Sequence, residues 1–117
     1  CNQQVSFFFF FKVVVTGGFK KRFKRLYKKY PSLVTDLTAL ISSLETKPKQ
    51  GESLGKGCFK VRMSIASKGR GKSAGSRVIT CVKIENNTVY LLSIYDKSEK
   101  ESISDKELDA LLKIAGL

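Results

Sequence analysis

Residues 59–65, Phe-Lys-Val-Arg-Met-Ser-Ile, alternate apolar and polar side chains without a break, and residues 77–85 follow the same period more loosely. A period of two marks a pleated strand with one face in a core, because successive side chains point to opposite sides. Between the two segments lies a run dominated by glycine, serine, lysine and arginine. It has almost nothing apolar to bury and must be a loop. The chain therefore turns back on itself here as a hairpin. Lys60, Arg62, Lys68, Arg70, Lys72 and Arg77 all fall within it, and no acidic residue interrupts them. Lys68, Arg70 and Lys72 in the loop suit an oligoanion, their charges joined by unencumbered backbone N–H groups. RNA is the first polyphosphate to expect.

The rest of the chain supplies elements to pack against that hairpin. Residues 7–16 are rich in aromatic and β-branched side chains and read as a buried strand broken by Gly17-Gly18. Phe19, Phe23, Leu26, Tyr27 and Tyr30 then form one apolar stripe at helical spacing, on a segment otherwise made of lysine and arginine. Pro31 ends that helix, and Ser32 is placed to cap a second, with Leu33, Leu37, Leu40, Ile41 and Leu44 on its inner face. Residues 49–57 read as a loop. A last strand over 89–95 follows a turn at Glu85-Asn86-Asn87-Thr88. Ser104 and Glu107 make a capping box that opens a short final helix. The order β-α-α-β-β-β-α predicts an α+β domain: an antiparallel-rich sheet with an N-terminal helical hairpin packed on one face. Residues 1–6 read as a poorly defined extension, and residues 7–117 as a single domain.

Charge limits the partners. The formal charge is +12 and the isoelectric point about 9.8, so a polyanion would relieve considerable self-repulsion. The most apolar run, residues 7–15, is short and is interrupted by Lys12, so no membrane partner is expected and the chain reads as cytoplasmic. Cys1, Cys58 and Cys81 are odd in number and show no C-x-x-C spacing, which fits unpaired thiols in a reducing compartment. The chain has no histidine, so a zinc site is not expected and no cofactor is called for. The usual acid–base residue near neutral pH is missing too, leaving Lys, Tyr, Asp or Glu to move protons.

Alternation assigns side chains to faces. Val61, Met63 and Ile65 point one way, and Lys60, Arg62 and Ser64 the other. In the next strand Val78, Val82 and Ile84 are expected in the core, with Arg77 and Lys83 opposite. In the last, Leu92 and Ile94 are expected inward, with Ser93 and Tyr95 on the cationic side, and Lys97 joining them if the pattern continues. Arg62, Arg77, Tyr95 and Lys97 would then share one face, together with Ile79 and Cys81. A G-x-G-K-S string occurs in the basic loop, but it lacks the full phosphate-loop spacing and precedes a strand instead of a helix.

The segment Leu54 to Arg62, the Gly69 to Arg77 loop followed by Val78-Ile79-Thr80, and the run Leu91 to Glu99 with its Tyr-Asp-Lys-Ser-Glu resemble the RelE/HigB toxins of bacterial type II toxin–antitoxin systems. The resemblance covers most of the chain. It implies a small basic messenger-RNA endoribonuclease, acting on translated messages at the ribosome and silenced by a cognate antitoxin protein. It also implies metal-independent cleavage, in which the ribose 2′-OH attacks the adjacent phosphate. By motif position Lys60 and Arg62 match the family's basic pair on the second strand, Arg77 the arginine that opens the third, and Lys97 a basic position after the last.

Such chemistry suits these residues. A phosphorane-like transition state gathers charge on its nonbridging oxygens, and preplaced cations stabilise it more than the ground state. Arg62 and Arg77 serve as bidentate donors, Lys60 or Lys97 as the group that takes the 2′-OH proton, and Tyr95 as a residue that orients or stacks on a base. Some relatives carry a cleavage tyrosine in the C-terminal segment; here no tyrosine follows Tyr95. Two alternatives stay open: a ParE-like toxin that poisons DNA gyrase on the same fold, and a noncatalytic RNA-binding module.

Overall fold

The computed structural model describes residues 10–68 and 75–117. Strand β1 (Lys12–Val15) leads into helices α1 (Gly17–Tyr27) and α2 (Leu33–Thr46). Four strands follow, β2 (Glu52–Gly55), β3 (Cys58–Met63), β4 (Ser76–Lys83) and β5 (Thr88–Asp96), and helix α3 (Asp105–Ile114) closes the chain. The five strands form one sheet in the order β1-β5-β4-β3-β2, with β1 parallel to β5 and every other pairing antiparallel.

The expected α+β architecture is present, with one strand more than expected: residues 52–55, read as loop, pair with β3. At its start Gly51 adopts φ +86°, and a Cβ there would lie 2.2 Å from the Lys60 carbonyl oxygen. Only glycine lets the backbone approach β3 so closely. The first strand ends before Gly17-Gly18 as expected, and the two glycines themselves open α1, which Thr16 caps. The Thr16 hydroxyl accepts from the Phe19 amide at 3.4 Å and donates to the Leu91 carbonyl at 2.7 Å.

The sheet is covered on both sides. One face packs Val61, Met63, Ile65, Val78 and Ile94 against Phe19, Leu26, Leu33 and Leu44 of the helical hairpin. The other carries a smaller cluster, Cys58, Ile79, Cys81, Leu92 and Tyr95, under Leu108 of α3. This double cover explains why β5 is a nearly continuous apolar run. Ser104 caps α3 as expected: its side chain accepts from the Glu107 amide, and the Glu107 carboxylate accepts from the Ser104 amide.

Two face assignments change. Leu92 faces α3 and not the hairpin, because the β4–β5 register slips between Ile79–Ser93 and Thr80–Leu91, leaving Leu92 as a bulged extra residue. Ile84 is exposed, since β4 ends at Lys83 and a single 3-10 turn over Ile84–Asn86, closed by Asn87 at φ 49°, makes the connection. Thr88, expected in the turn, is the first residue of β5.

Candidate active site

The register places the basic side chains in rungs. Arg62 of β3 is the Cα partner of Arg77 of β4, which is in turn the partner of Tyr95 of β5. One rung along the same face, Lys60 partners Ile79. Lys60, Arg62, Arg77 and Lys97 all line one open groove of about 660 Å³, between the β2 side of the sheet and the segment after β5. Arg62 is exposed, whereas Arg77 is only 4% exposed and donates from Nη1 to the Ser76 carbonyl at 3.0 Å. Lys97 is half-buried, and its amide donates to the Gly75 carbonyl at 3.1 Å.

Sequence reasoning missed the acidic component of this groove. Glu52 and Glu101 line it too, and Glu52 pairs with the Lys60 ammonium at 3.4 Å. Lys60 also donates to the Ser102 hydroxyl at 3.4 Å. Glu52 is hidden because Glu-Ser-Leu-Gly carries no alternation that marks β2 as a strand. Glu101 lies in an irregular polar segment, where no periodicity assigns a direction. Among the described residues no group of three His, Cys, Asp or Glu side chains could hold a metal ion.

Tyr95 lies on the arginine face but beneath the α3 cover. Tyr95 is 8% exposed, Lys100 Nζ sits 5.7 Å from its ring centroid, and among the described residues its buried hydroxyl has no hydrogen-bond partner. Burial pushes its pKa up, with the Arg77 charge opposing. It lines a separate cleft with Arg22, Arg25, Lys100 and Glu107.

Lys68 is tied into a buried network away from the groove. Its ammonium donates to Asp96 Oδ1 at 2.7 Å and stands 5.3 Å from the Tyr30 ring centroid. Asp96 is fully buried and also accepts from the Tyr30 hydroxyl, the Ser98 amide and the Ser98 hydroxyl. Burial alone would raise its pKa. The hydrogen bonds from Lys68, Ser98 and Tyr30 overcome that and hold the carboxyl well below the usual carboxylate range. The turn before Lys68 is clamped to α2 as well: Ser32 and Ser67 exchange amide-to-hydroxyl bonds at 2.9 Å each, and Ser32 donates to Asp36. Ser32 thus borders α2 without the side-chain cap expected of it, its hydroxyl being taken by this clamp. Arg70 and Lys72 lie outside the described residues.

Residues 18–117 match the family described as the RelE toxin of the RelE/RelB toxin–antitoxin system. The fold is similar to that of the toxin–antitoxin complex RelBE2 from Mycobacterium tuberculosis, with 18% identity and a TM-score of 0.54, over 74% of this chain and 98% of that one. It is also similar to an E. coli RelE toxin with two arginines replaced by alanine, in the free state. There the identity is 17% and the TM-score 0.56, over 79% of this chain and 87% of that one. No helix among the described residues is long and apolar enough to cross a membrane.

Proposed function

This chain belongs to the RelE toxin family, and on that premise we propose that it is a ribosome-dependent messenger-RNA endoribonuclease restrained by a cognate antitoxin. The observation that carries the proposal is the pairing of Arg62 with Arg77 at the side of an open groove that also holds Lys60 and Lys97. Two arginines directly opposite on neighbouring strands repel one another, and a dianionic phosphorane between them removes that repulsion. The scissile phosphate lies across this pair. The 2′-OH attacks in line, the P–O5′ bond breaks, and a cyclic phosphate remains.

Each groove residue has a role in the proposal. Arg62 and Arg77 bind the nonbridging oxygens, and Lys97 neutralises the departing 5′ oxygen. Lys60 orients the Glu52 carboxylate, already its ion-pair partner, and that carboxylate takes the 2′-OH proton. Tyr95 acts through Arg77, its register partner, as a positioning residue. Arg70 and Lys72 contribute attraction for the RNA backbone, while Lys68, paired with Asp96, anchors the segment that carries them. An antitoxin partner is supported by the family and by the toxin–antitoxin complex of similar fold.

Inducible expression in a bacterium, with primer extension on a translated message, tests this reading. Codon-positioned cuts that vanish in Arg62→Ala are expected. Growth arrest with messages intact would point instead to a gyrase poison, and neither effect to a noncatalytic RNA-binding module.

A further inference from the structure

The smaller apolar cluster contains two thiols in an unusual relation. Cys58 and Cys81 are Cα partners on adjacent antiparallel strands, and both are fully buried. The amide of Val82 donates to the carbonyl of Gly57 at 2.8 Å, so the bond joins the residue after Cys81 to the residue before Cys58. That pattern makes Cys58–Cys81 a non-hydrogen-bonded pair, the type in which opposed Cα atoms stand only about 4.5 Å apart and side chains are closest. A disulfide spans Cα separations of roughly 4.4–6.8 Å. The pair therefore meets the distance requirement without any backbone rearrangement beyond side-chain rotation.

We propose that Cys58 and Cys81 are a modification site, closing to a cross-strand disulfide when hydrogen peroxide reaches them beneath the C-terminal helix. The two thiols differ in a way that assigns their roles. Cys58 Sγ donates to the Lys56 carbonyl at 3.7 Å and so keeps its proton, whereas the Cys58 side chain, with help from Lys83, holds Cys81 down to about 7 against the effect of burial, and the Cys81 side chain and burial push Cys58 up. Cys81 is the attacking sulfur. Its thiolate displaces hydroxide from the peroxide as the O–O bond breaks, giving a sulfenic acid, and the hydroxide takes up the proton released by the thiol. The Cys58 sulfur then attacks the sulfenic sulfur, the S–O bond breaks, and a second water leaves with the Cys58 proton. Two thiols are oxidised and one peroxide is reduced to two waters.

Access runs through the cover. Leu108 is the buried contact of α3, and Ile103, Leu111 and Leu112 are only partly buried around it. Transient lifting of such a thinly seated helix admits a molecule little larger than water. The site also adjoins the groove. Cys58, Lys60 and Arg62 are successive residues on one face of β3, opposite Cys81, Ile79 and Arg77 on β4. The disulfide would fasten the two strands two rungs from the arginine pair.

The test uses the full chain carrying Cys1→Ser, so that only these two thiols remain. After peroxide treatment, alkylation in denaturant and digestion without reductant, both thiols should be lost together in a monomer. One linked peptide pair should contain Cys58 and Cys81, and a thiol reductant should release it. Adding Cys58→Ser should abolish the link and leave a sulfenic acid on Cys81 that dimedone traps. Leu108→Ala, which loosens the cover, should bring the same link several-fold sooner. Persistence of both alkylatable thiols, links only between chains, or overoxidised cysteines without a link would overturn the proposal. So would a Leu108→Ala rate equal to that of the parent.

Discussion

Arg62 and Arg77 face each other across two strands, an arrangement that works against the sheet holding them. Like charges directly opposed destabilise an antiparallel pair, so removing the exposed member separates stability from activity. Arg62→Ala is expected to leave the melting temperature unchanged or slightly raised while lowering cleavage by about 10²–10³-fold, the usual cost of removing one preplaced donor. A thermal melt beside a cleavage assay on translating ribosomes checks both halves. Tyr95 makes the complementary case. Its hydroxyl is buried without a partner among the described residues, and such a group costs on the order of 1–3 kcal/mol. Tyr95→Phe should therefore stabilise the fold by about 1 kcal/mol in urea denaturation and keep most of the cleavage activity, because the ring alone supports Arg77. The common face of Lys60, Arg62, Arg77 and Tyr95 was readable from pleat alone. The burial of Tyr95 was not, because nothing in a strand's own pattern says that a distant helix will lie over it.

At the scale of elements, the end of β5 depends on Asp96. Its folded pKa is depressed, so its contribution to stability is fully present above the unfolded carboxylate value of about 3.9 and is lost as pH falls through the lower folded value. Asp96→Asn should cost roughly 2–4 kcal/mol at neutral pH, because Lys68 and Tyr30 lose a charged acceptor in a buried setting. The gap between variant and parent should narrow below about pH 4, as denaturant titrations across the acid range would show. The helices were legible because their apolar stripes and caps are local signals. Strand β2 was not: Glu-Ser-Leu-Gly has one apolar residue, and its pairing rests on the close approach of Gly51 to β3. Alternation points Leu92 to the hairpin side because a bulge is a property of two strands in register and leaves no trace in the alternation of one.

At the scale of the molecule, a charge of +12 makes association with RNA a matter of counterion release. If the four groove cations carry the binding, log affinity for single-stranded RNA should fall with log salt at a slope of about −3, measured on a cleavage-deficient Arg62→Ala chain as about −2. A much steeper slope would mean that α1 or the basic loop also binds. The residues that flank 69–74 are held at one place. Lys68, on one side, is fastened to Asp96, and Gly75, on the other, accepts from the neighbouring Lys97 amide. Both posts thus stand on consecutive residues at the end of one strand. Because Lys68 and Gly75 are each held at the end of β5, substitutions between them are expected to leave the arginine pair in place, and on the proposed function the capture of a message and its cleavage are then free to change separately.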